Sequence, residues 1–513
     1  MPLRLNTLRL NTIANFAGQI WAFVLWLIVT PFYLRIVGAD GYGLIGFFIV
    51  LQAAIAVLDL GMSGTLNREM ARGAAGTLEP AAMANLVRCL QWVYGPLCVL
   101  IGIVLTASSG WIAGRWLHAP ASVDPHLDRA VQLMGFAVAL QFPIVFYGSG
   151  LAGLQRQLLL NGLNSSLTTL RQVGVFVPLL VVAPTTEVFF AWQAATGALH
   201  SLVLARALWV ALPKSDRPRR LDLSVLRKMY RFTASLAVVG LLTFLLTQTD
   251  RVLLSRLLPL ADFGRYMLAA TLAYGINRLA APINIAVQPR FSELVALDQI
   301  ERLKSFYHTS NQVVAVAIVP AAVVLAVFAS DVLRLWTGRD DIAQVAAPIL
   351  ALLAAGYGIN ATMTLAWSLQ VAYGQTRFGL VQSIVSVLLA VPSIAWGATH
   401  FGALGAASVW LLLNLGYFAI SMPLIHRRIL RGELAAWYLR DVAPITIASL
   451  TAAALTAHWL SPLPRNAIGL AQLALASALT LAAGALASGF VRSQIRALWA
   501  HATSPRSRPD YPA

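Results

Sequence analysis

Charge is scarce in this chain, and negative charge scarcest: 11% of its 513 residues are charged, with 20 Asp and Glu against 37 Lys and Arg. A soluble protein of this length must wet its surface, and so little charge beside 58% apolar residues excludes that class. Cysteine is nearly missing. Cys89 and Cys98 lie nine apart within one apolar segment, which argues for two small core residues and against a disulfide or a metal site. No GxxxxGK[ST] occurs, so nucleotide hydrolysis by that loop is excluded. Nor does a small-x-small cleavage site follow the first apolar run, 20–33. The chain goes on through Pro31, Phe32, Tyr33 and Arg35, and the run reads as a retained first transmembrane helix.

What the chain does have is long apolar runs. Blocks near 20 residues match a hydrocarbon core of about 30 Å at about 1.5 Å rise per residue. A window of that length finds fourteen, near 12–33, 42–65, 85–107, 130–151, 160–183, 187–210, 232–254, 263–288, 305–328, 343–367, 378–399, 402–425, 441–460 and 466–490. The expected fold is an all-α integral membrane protein of about 14 transmembrane helices. With both termini in the cytoplasm, Lys and Arg gather in the cytoplasmic connections, most densely at 214–231 and 426–440. This is the positive-inside pattern. The net charge of +17 then reflects topology and anionic headgroups. Nucleic acid is excluded as a partner because no basic soluble face exists to hold it.

One phrase occurs twice. At a common offset of 221, Arg35 meets Arg256, Tyr42 meets Phe263 and Gly43 meets Gly264; at the same offset Gly153 meets Gly374 and Arg156 meets Arg377. Six helices separate the copies. Six is even, so both halves enter the membrane in one direction, as parallel repeats related by an axis along the membrane normal. The organisation that follows is an N-lobe over 1–211 with helices 1–6 and a basic cytoplasmic linker over 212–231, either partly an interfacial amphipathic helix through Leu223, Leu226 and Tyr230 or a solvated tether. A C-lobe over 232–428 with helices 7–12, a further helix pair over 429–491 and a disordered cytoplasmic tail over 492–513 complete it.

The run GADGYGLIGFFIVLQAAIAVLDLGMSGTLNREMAR (38–72) resembles the first-helix-pair signature of the polysaccharide (O-antigen, Wzx-type) flippases. Their superfamily also holds MATE-type multidrug exporters and lipid II flippases. The matching residues are Gly41–Tyr42–Gly43, Asp59–Leu60–Gly61 and Arg68, with Asp250–Arg251 and Phe263–Gly264 in the second half. The resemblance implies a MATE-like pair of lobes plus two C-terminal helices in a bacterial inner membrane. It further implies an undecaprenyl-diphosphate-linked oligosaccharide as cargo, flipped from the inner to the outer leaflet. A polysaccharide polymerase and a chain-length regulator are the implied protein partners, and H+ or Na+ the implied coupling ion; no other cofactor is expected. In the lipid II branch the last helix pair forms a groove for the lipid tail, so 441–460 and 466–490 either do the same or pack plainly.

Such a cargo calls for hydrogen-bonding groups and a cation inside the membrane. Asn11, Asn15 and Gln19 stand one turn apart on helix 1; Tyr274, Asn277, Asn284 and Gln288 share a face of helix 8; Asn161, Asn164, Ser165, Thr168, Thr169 and Gln172 mark helix 5. Polar stripes avoid lipid, and they either touch cargo or join helices. Arg171 is the sharpest single feature. An arginine at such depth costs about 2.5–3.5 kcal/mol on insertion scales, so either a diphosphate or a salt bridge or carbonyl contacts must compensate. Arg278 is similar on helix 8. Asp59, at matching height on helix 2, either pairs with Arg278, carries the coupling ion or makes a local structural pair. Asp250 and Arg251 close helix 7, as gating groups or as interfacial snorkels.

A drug/cation antiporter and a lipid II flippase are the rivals within the superfamily; the antiporter would want cavity carboxylates, whereas the deepest charges here are arginines. A membrane-embedded polymerase or ligase would need a large catalytic outer loop. The longest, 108–129, carries only His118, Asp124, His126 and Asp128, which read as a solvated turn. Catalytic residues are therefore not assigned. Expelling a dianionic headgroup from a negative-inside cell gains roughly 5 kcal/mol at 100 mV, at about 2.3 kcal/mol per charge.

Overall fold

Apolar blocks too long for a water-soluble helix, punctuated by Pro, Gly and short polar turns, fold as a bundle of long helices. The computed structural model describes residues 2–117, 127–213 and 223–503, with side chains over 14–117, 127–213 and 236–497 apart from Thr376. The side chain of Asn11, the residues His118, Asp124 and His126, linker positions 214–222 and tail positions 504–513 lie outside the described residues. No strand occurs among those described.

Among the described residues, ten helical stretches are long and apolar enough to cross a membrane. Two of them, Ala14–Asp59 and Arg377–Arg428, contain a glycine whose dihedrals no helix adopts: Gly38 at φ 73° and Gly402 at φ 61°. Only glycine tolerates those backbone conformations cheaply, so each stretch is two helices hinged at one residue. The order is therefore α1 (2–37), α2 (39–56, resuming as Met62–Ala74), α3 (Pro80–Ala107), α4 (Leu127–Gly153) and α5 (Gln157–Gly174, then Phe176–Val181). Then come α6 (Thr186–Ala211), α7 (Leu223–Leu257), α8 (Leu260–Ala296), α9 (Ile300–Val327) and α10 (Asp340–Ala372). The set closes with α11 (377–401), α12 (403–428), α13 (Leu434–Leu460) and α14 (Ala467–Ala487).

Several boundaries differ from the sequence reading. The linker, expected to be partly an interfacial amphipathic helix through Leu223, Leu226 and Tyr230, is helical from Leu223 but runs unbroken into α7, because LSVLRKMYR holds no Pro or Gly to stop it. The tail expected to be disordered from 492 is helical as Gly489–Thr503, since its Pro-rich composition begins only at Ser504. Asp250 does not close α7 but sits two turns before its end at Leu257, where Pro259 withholds a backbone donor. The Asp59–Leu60–Gly61 motif interrupts α2: Leu60 (φ 50°) and Gly61 (φ 79°) are left-handed, and Asp59 restarts the helix by accepting the Ser63 amide at 3.1 Å.

The chain forms two compact units, Met1–Met267 with Ser386–Ala406, and Leu268–Val385 with Ala407–Ala513. Within the first, the twice-written phrase meets its own copy. A Cβ on Gly43 would stand 2.2 Å from the Leu260 carbonyl oxygen, and one on Gly264 2.5 Å from that of Ala39. Leu260 is Ala39 advanced by 221, and Gly264 is Gly43 advanced by 221, so the contact is reciprocal, as at a two-fold axis. Two glycines let the backbones of α2 and α8 touch, as small residues do at membrane helix crossings. The second sequence match is displaced. Arg156 N donates to Leu151 O at 3.0 Å and Gln375 N to Gln370 O at 2.9 Å, so Gly374 (φ 67°) takes the place of Gln155 (φ 57°), not of Gly153. Gly153 is small for another reason, the Asn67 carbonyl oxygen 2.4 Å from where its Cβ would be. Gly264→Val is expected to push α2 and α8 apart at a cost of about 1–3 kcal/mol or more, backbone being unable to yield as a side chain does. A fall in detergent-soluble, monodisperse protein would register it.

In the second unit, α13 and α14 pack on α9 through Ala315, Val319, Val323, Ile445, Ala453 and Ala476, all buried.

Candidate functional site

In the first unit Asp59 and Arg171, which the sequence placed on separate helices, line one cavity. It has a volume of about 240 Å³ and is walled by α2, α3, α4 and α5, with Gln52 and Asp59, Tyr94, Gln141 and Arg171 as its polar members. Phe142, Ile144 and Val145 supply part of its apolar wall.

Gln141 organises one side. Its Oε1 accepts from Arg171 Nη1 at 2.9 Å and from Gln52 Nε2 at 2.8 Å, while its Nε2 donates to the Gln193 carbonyl at 3.0 Å. Gln141 thereby ties α2, α5 and α6 to α4. The Arg171 backbone is held as well, its carbonyl accepting from Trp192 Nε1 at 3.1 Å; next to it, the Gln172 carbonyl accepts from Tyr33 OH at 2.5 Å. Arg171 stands fourteen residues from the start of α5 at Gln157, about 21 Å along the axis. No carboxylate pairs with its guanidinium among the described residues. One glutamine oxygen accepts from a group with five donors.

Asp59 organises the other side. Ser63 Oγ donates to it at 2.6 Å and its own amide donates at 3.1 Å, and Tyr94 OH also donates to the same Oδ1. Tyr94 is positioned by stacking on Phe142 at 5.0 Å between ring centres. The carboxylate is thus satisfied by neutral donors, with no cation paired to it among the described residues.

The polar stripes have mostly found each other. Asn15 donates to Gln157 and accepts from Asn161 Nδ2 at 2.6 Å, and Trp21 Nε1 donates to Thr169 Oγ1 at 2.9 Å, stitching α1 to α5. Asn164 bonds His200 across to α6 at 3.0 Å. Gln19 is exposed. Arg68 is exposed near Glu69 at 3.9 Å. Asp250 accepts from Tyr266 OH at 2.6 Å, and Arg251 reaches Gln248 at 3.3 Å. In the second unit Arg278 is exposed, its guanidinium 5.7 Å from the Tyr274 ring centre. Asn284 accepts from Ser368 Oγ at 3.4 Å, and Asn277 is half-buried.

Sequence reasoning missed a second polar assembly entirely. His308 on α9 lies between two carboxylates, Asp441 of α13 at Nδ1 and Glu433 at Nε2, the latter 3.2 Å away. Gln312 donates to Asp441 at 2.8 Å and accepts from the Phe490 amide at 2.7 Å; Trp437 Nε1 donates to Asn311 at 3.1 Å; Tyr307 meets His426 at 3.2 Å. A π-helical turn over Trp437–Val442 turns both Trp437 and Asp441 inward, each with no exposed surface. Burial raises the Glu433 carboxyl, but the hydrogen bonds from His308 and Lys304 outweigh it and hold the group below the usual range. The basic stretch 426–440 also hides two side chains, His426 and Trp437. The available signal was a histidine two turns into an apolar helix, with an aspartate heading another.

The family model described as "Polysaccharide biosynthesis protein" matches residues 8–295, and one described as "MatE" matches 236–396. Among solved structures the fold is similar to the lipid II flippase MurJ in an inward closed conformation, with TM-score 0.69 and 12% identity over 95% of this chain and 100% of that one. It is also similar to a mutant form of the Vibrio cholerae MATE transporter VcmN, with TM-score 0.55 and 16% identity over 83% and 97%. An inward-facing multidrug resistance MATE family transporter of the MOP superfamily gives TM-score 0.56 and 16% identity over 82% and 94%. No curated protein sequence matches.

Proposed function

Because the chain belongs to the polysaccharide biosynthesis protein family, we propose that it flips an undecaprenyl-diphosphate-linked oligosaccharide from the inner to the outer leaflet of a bacterial cytoplasmic membrane. The observation that carries this reading is Arg171: a guanidinium deep in a membrane bundle, lining a cavity, with one neutral acceptor and no carboxylate among the described residues. A diphosphate supplies the missing acceptors in the forked geometry guanidinium prefers. The cargo is carried unchanged, by alternating access, with both termini cytoplasmic. A polysaccharide polymerase and a chain-length regulator take the product on the outer face.

Asp59 is the proposed carrier of the coupling ion. Its neutral partners Ser63 and Tyr94 stabilise the carboxylate without neutralising it, so a proton or Na+ neutralises it when the cargo phosphates occupy Arg171. Asp59→Asn separates this role from helix capping, because asparagine caps nearly as well as aspartate. Transport is expected to fall at least about tenfold, one charge-assisted interaction's worth, with folded protein level unchanged. Equal loss of protein would reduce Asp59 to a cap.

A drug/cation antiporter is the second reading, favoured by the match to the MatE model and by a carboxylate in the cavity. Arg171 in the same cavity opposes it, since a cationic cargo would leave the guanidinium with its single neutral acceptor where a diphosphate would satisfy it. The deciding experiment deletes the gene in its host and restores it, then measures undecaprenyl-diphosphate oligosaccharide in each leaflet together with surface polysaccharide. Accumulation on the cytoplasmic leaflet with loss of polymer supports the flippase; normal delivery to the outer leaflet overturns it.

A further inference from the structure

A second cavity lies on the outside of the first unit, and the transport reading makes no use of it. It is a groove of about 500 Å³ lined by Arg88, Gln91, Trp92, Gly95 and Pro96 of α3 and by Trp209 of α6. The α3 residues fall at i, i+3, i+4, i+7 and i+8, one face of a helix. That face looks into lipid: Trp92 is 61% exposed, and Val99 and Ile103 further along are similarly bare.

From these residues we propose that the groove binds the headgroup of an anionic phospholipid of the leaflet at the start of α3 and the end of α6. Arg88 is exposed, and no carboxylate pairs with it among the described residues. It stands eight residues from the start of α3, about 12 Å along the axis, while Trp209 is two residues from the end of α6. Both therefore lie near one end of the bundle, at the depth where indoles and long cationic side chains settle between tails and headgroups. Arg206, exposed one turn before Trp209, adds positive charge on the same side. Anionic headgroups are drawn to such clusters.

The groove has acceptors and room as well as charge. Gln91 spends its amide N–H on Tyr147 OH at 3.1 Å, which holds its side chain in place. Pro96 has no N–H to give the Trp92 carbonyl four residues back, so that oxygen is left for a donor outside the helix, such as a glycerol hydroxyl. A Cβ on Gly95 would have nothing within 4 Å, and the vacancy is the floor of the groove. The phosphodiester pairs with Arg88, the headgroup hydroxyls reach the Trp92 carbonyl, and the indoles of Trp92 and Trp209 flank the acyl-glycerol junction.

The test uses the full chain purified in detergent, stripped of lipid and titrated with phosphatidylglycerol or phosphatidylcholine, with bound lipids counted by native mass spectrometry. Phosphatidylglycerol is expected to bind Arg88→Gln about tenfold more weakly than the wild type, losing one charge-assisted contact. Gly95→Leu, which fills open space and improves helix propensity, is expected to lose the same single lipid while keeping its helical circular dichroism. Phosphatidylcholine should bind all three proteins alike. Equal phosphatidylglycerol binding by wild type and both variants overturns the proposal. Equal loss of both lipids reduces the groove to an apolar crevice. Displacement of the bound phosphatidylglycerol by undecaprenyl diphosphate, one for one, assigns the groove to cargo and overturns it also.

Discussion

Arg171→Ala is expected to abolish export while leaving the protein in the membrane at its normal level. The substitution orphans nothing: Gln141 Oε1 still accepts from Gln52, and Gln141 Nε2 still donates to the Gln193 carbonyl. It also relieves the insertion cost of a deep arginine, about 2.5–3.5 kcal/mol. What is lost is every charge-assisted bond to the cargo phosphates. At about 1.5–3 kcal/mol each, a forked pair amounts to a drop on the order of a hundredfold or more. Arg171→Lys keeps the charge but not the fork and should fall between. The measurement is lipid-linked oligosaccharide on each leaflet, with immunoblotted membrane protein as control. Normal export by Arg171→Ala would remove the arginine from the mechanism.

The second large effect is structural. Asp441→Ala strips a fully buried carboxylate from between His308 and Gln312, leaving two buried donors without their acceptor. Removing one partner of a buried pair costs about 3–5 kcal/mol, because the other is left charged or unsatisfied. The expected outcome is a clear fall in the thermal midpoint of the purified protein and earlier proteolysis of α13 and α14. The double change His308→Leu with Asp441→Leu should recover part of the loss, since it removes the orphaned imidazole and leaves only Gln312 Nε2 without its acceptor. A single variant as stable as the wild type would show that the assembly does not hold the C-terminal pair.

The helices were legible because apolar runs of membrane length have few other structural outcomes, and the hinges at Gly38 and Gly402 fall at or beside the gaps that windowing leaves. The break at Leu60–Gly61 was not, since one left-handed leucine has no compositional mark. Arg171 and Asp59 stood out as lone charges in apolar surroundings. That they share a cavity did not, because 112 residues separate them and only α4, through Gln141 and Phe142, brings them together. His308 and Asp441 are further apart still, and each alone looks like an interfacial residue. Sequence periodicity reports which face of a helix is polar. It is silent on which polar faces meet, and that is where Asn15, Asn161 and Thr169, candidates for cargo, proved to bind one another or α1.

The reciprocal meeting of Gly43 with Leu260 and Gly264 with Ala39 bears on descent. When two identical chains touch at such a spot, one change of codon alters both sides of the crossing at once. A single mutation to glycine in an undivided ancestor would thus have opened the whole contact. After duplication and fusion the same opening requires two independent events, and either glycine alone leaves the other backbone obstructed. The paired glycines are more easily inherited from a self-associating half-length forebear than acquired by the fused chain, whereas Arg171 and Arg88, with no counterpart required across the crossing, are free to have arisen in one half alone.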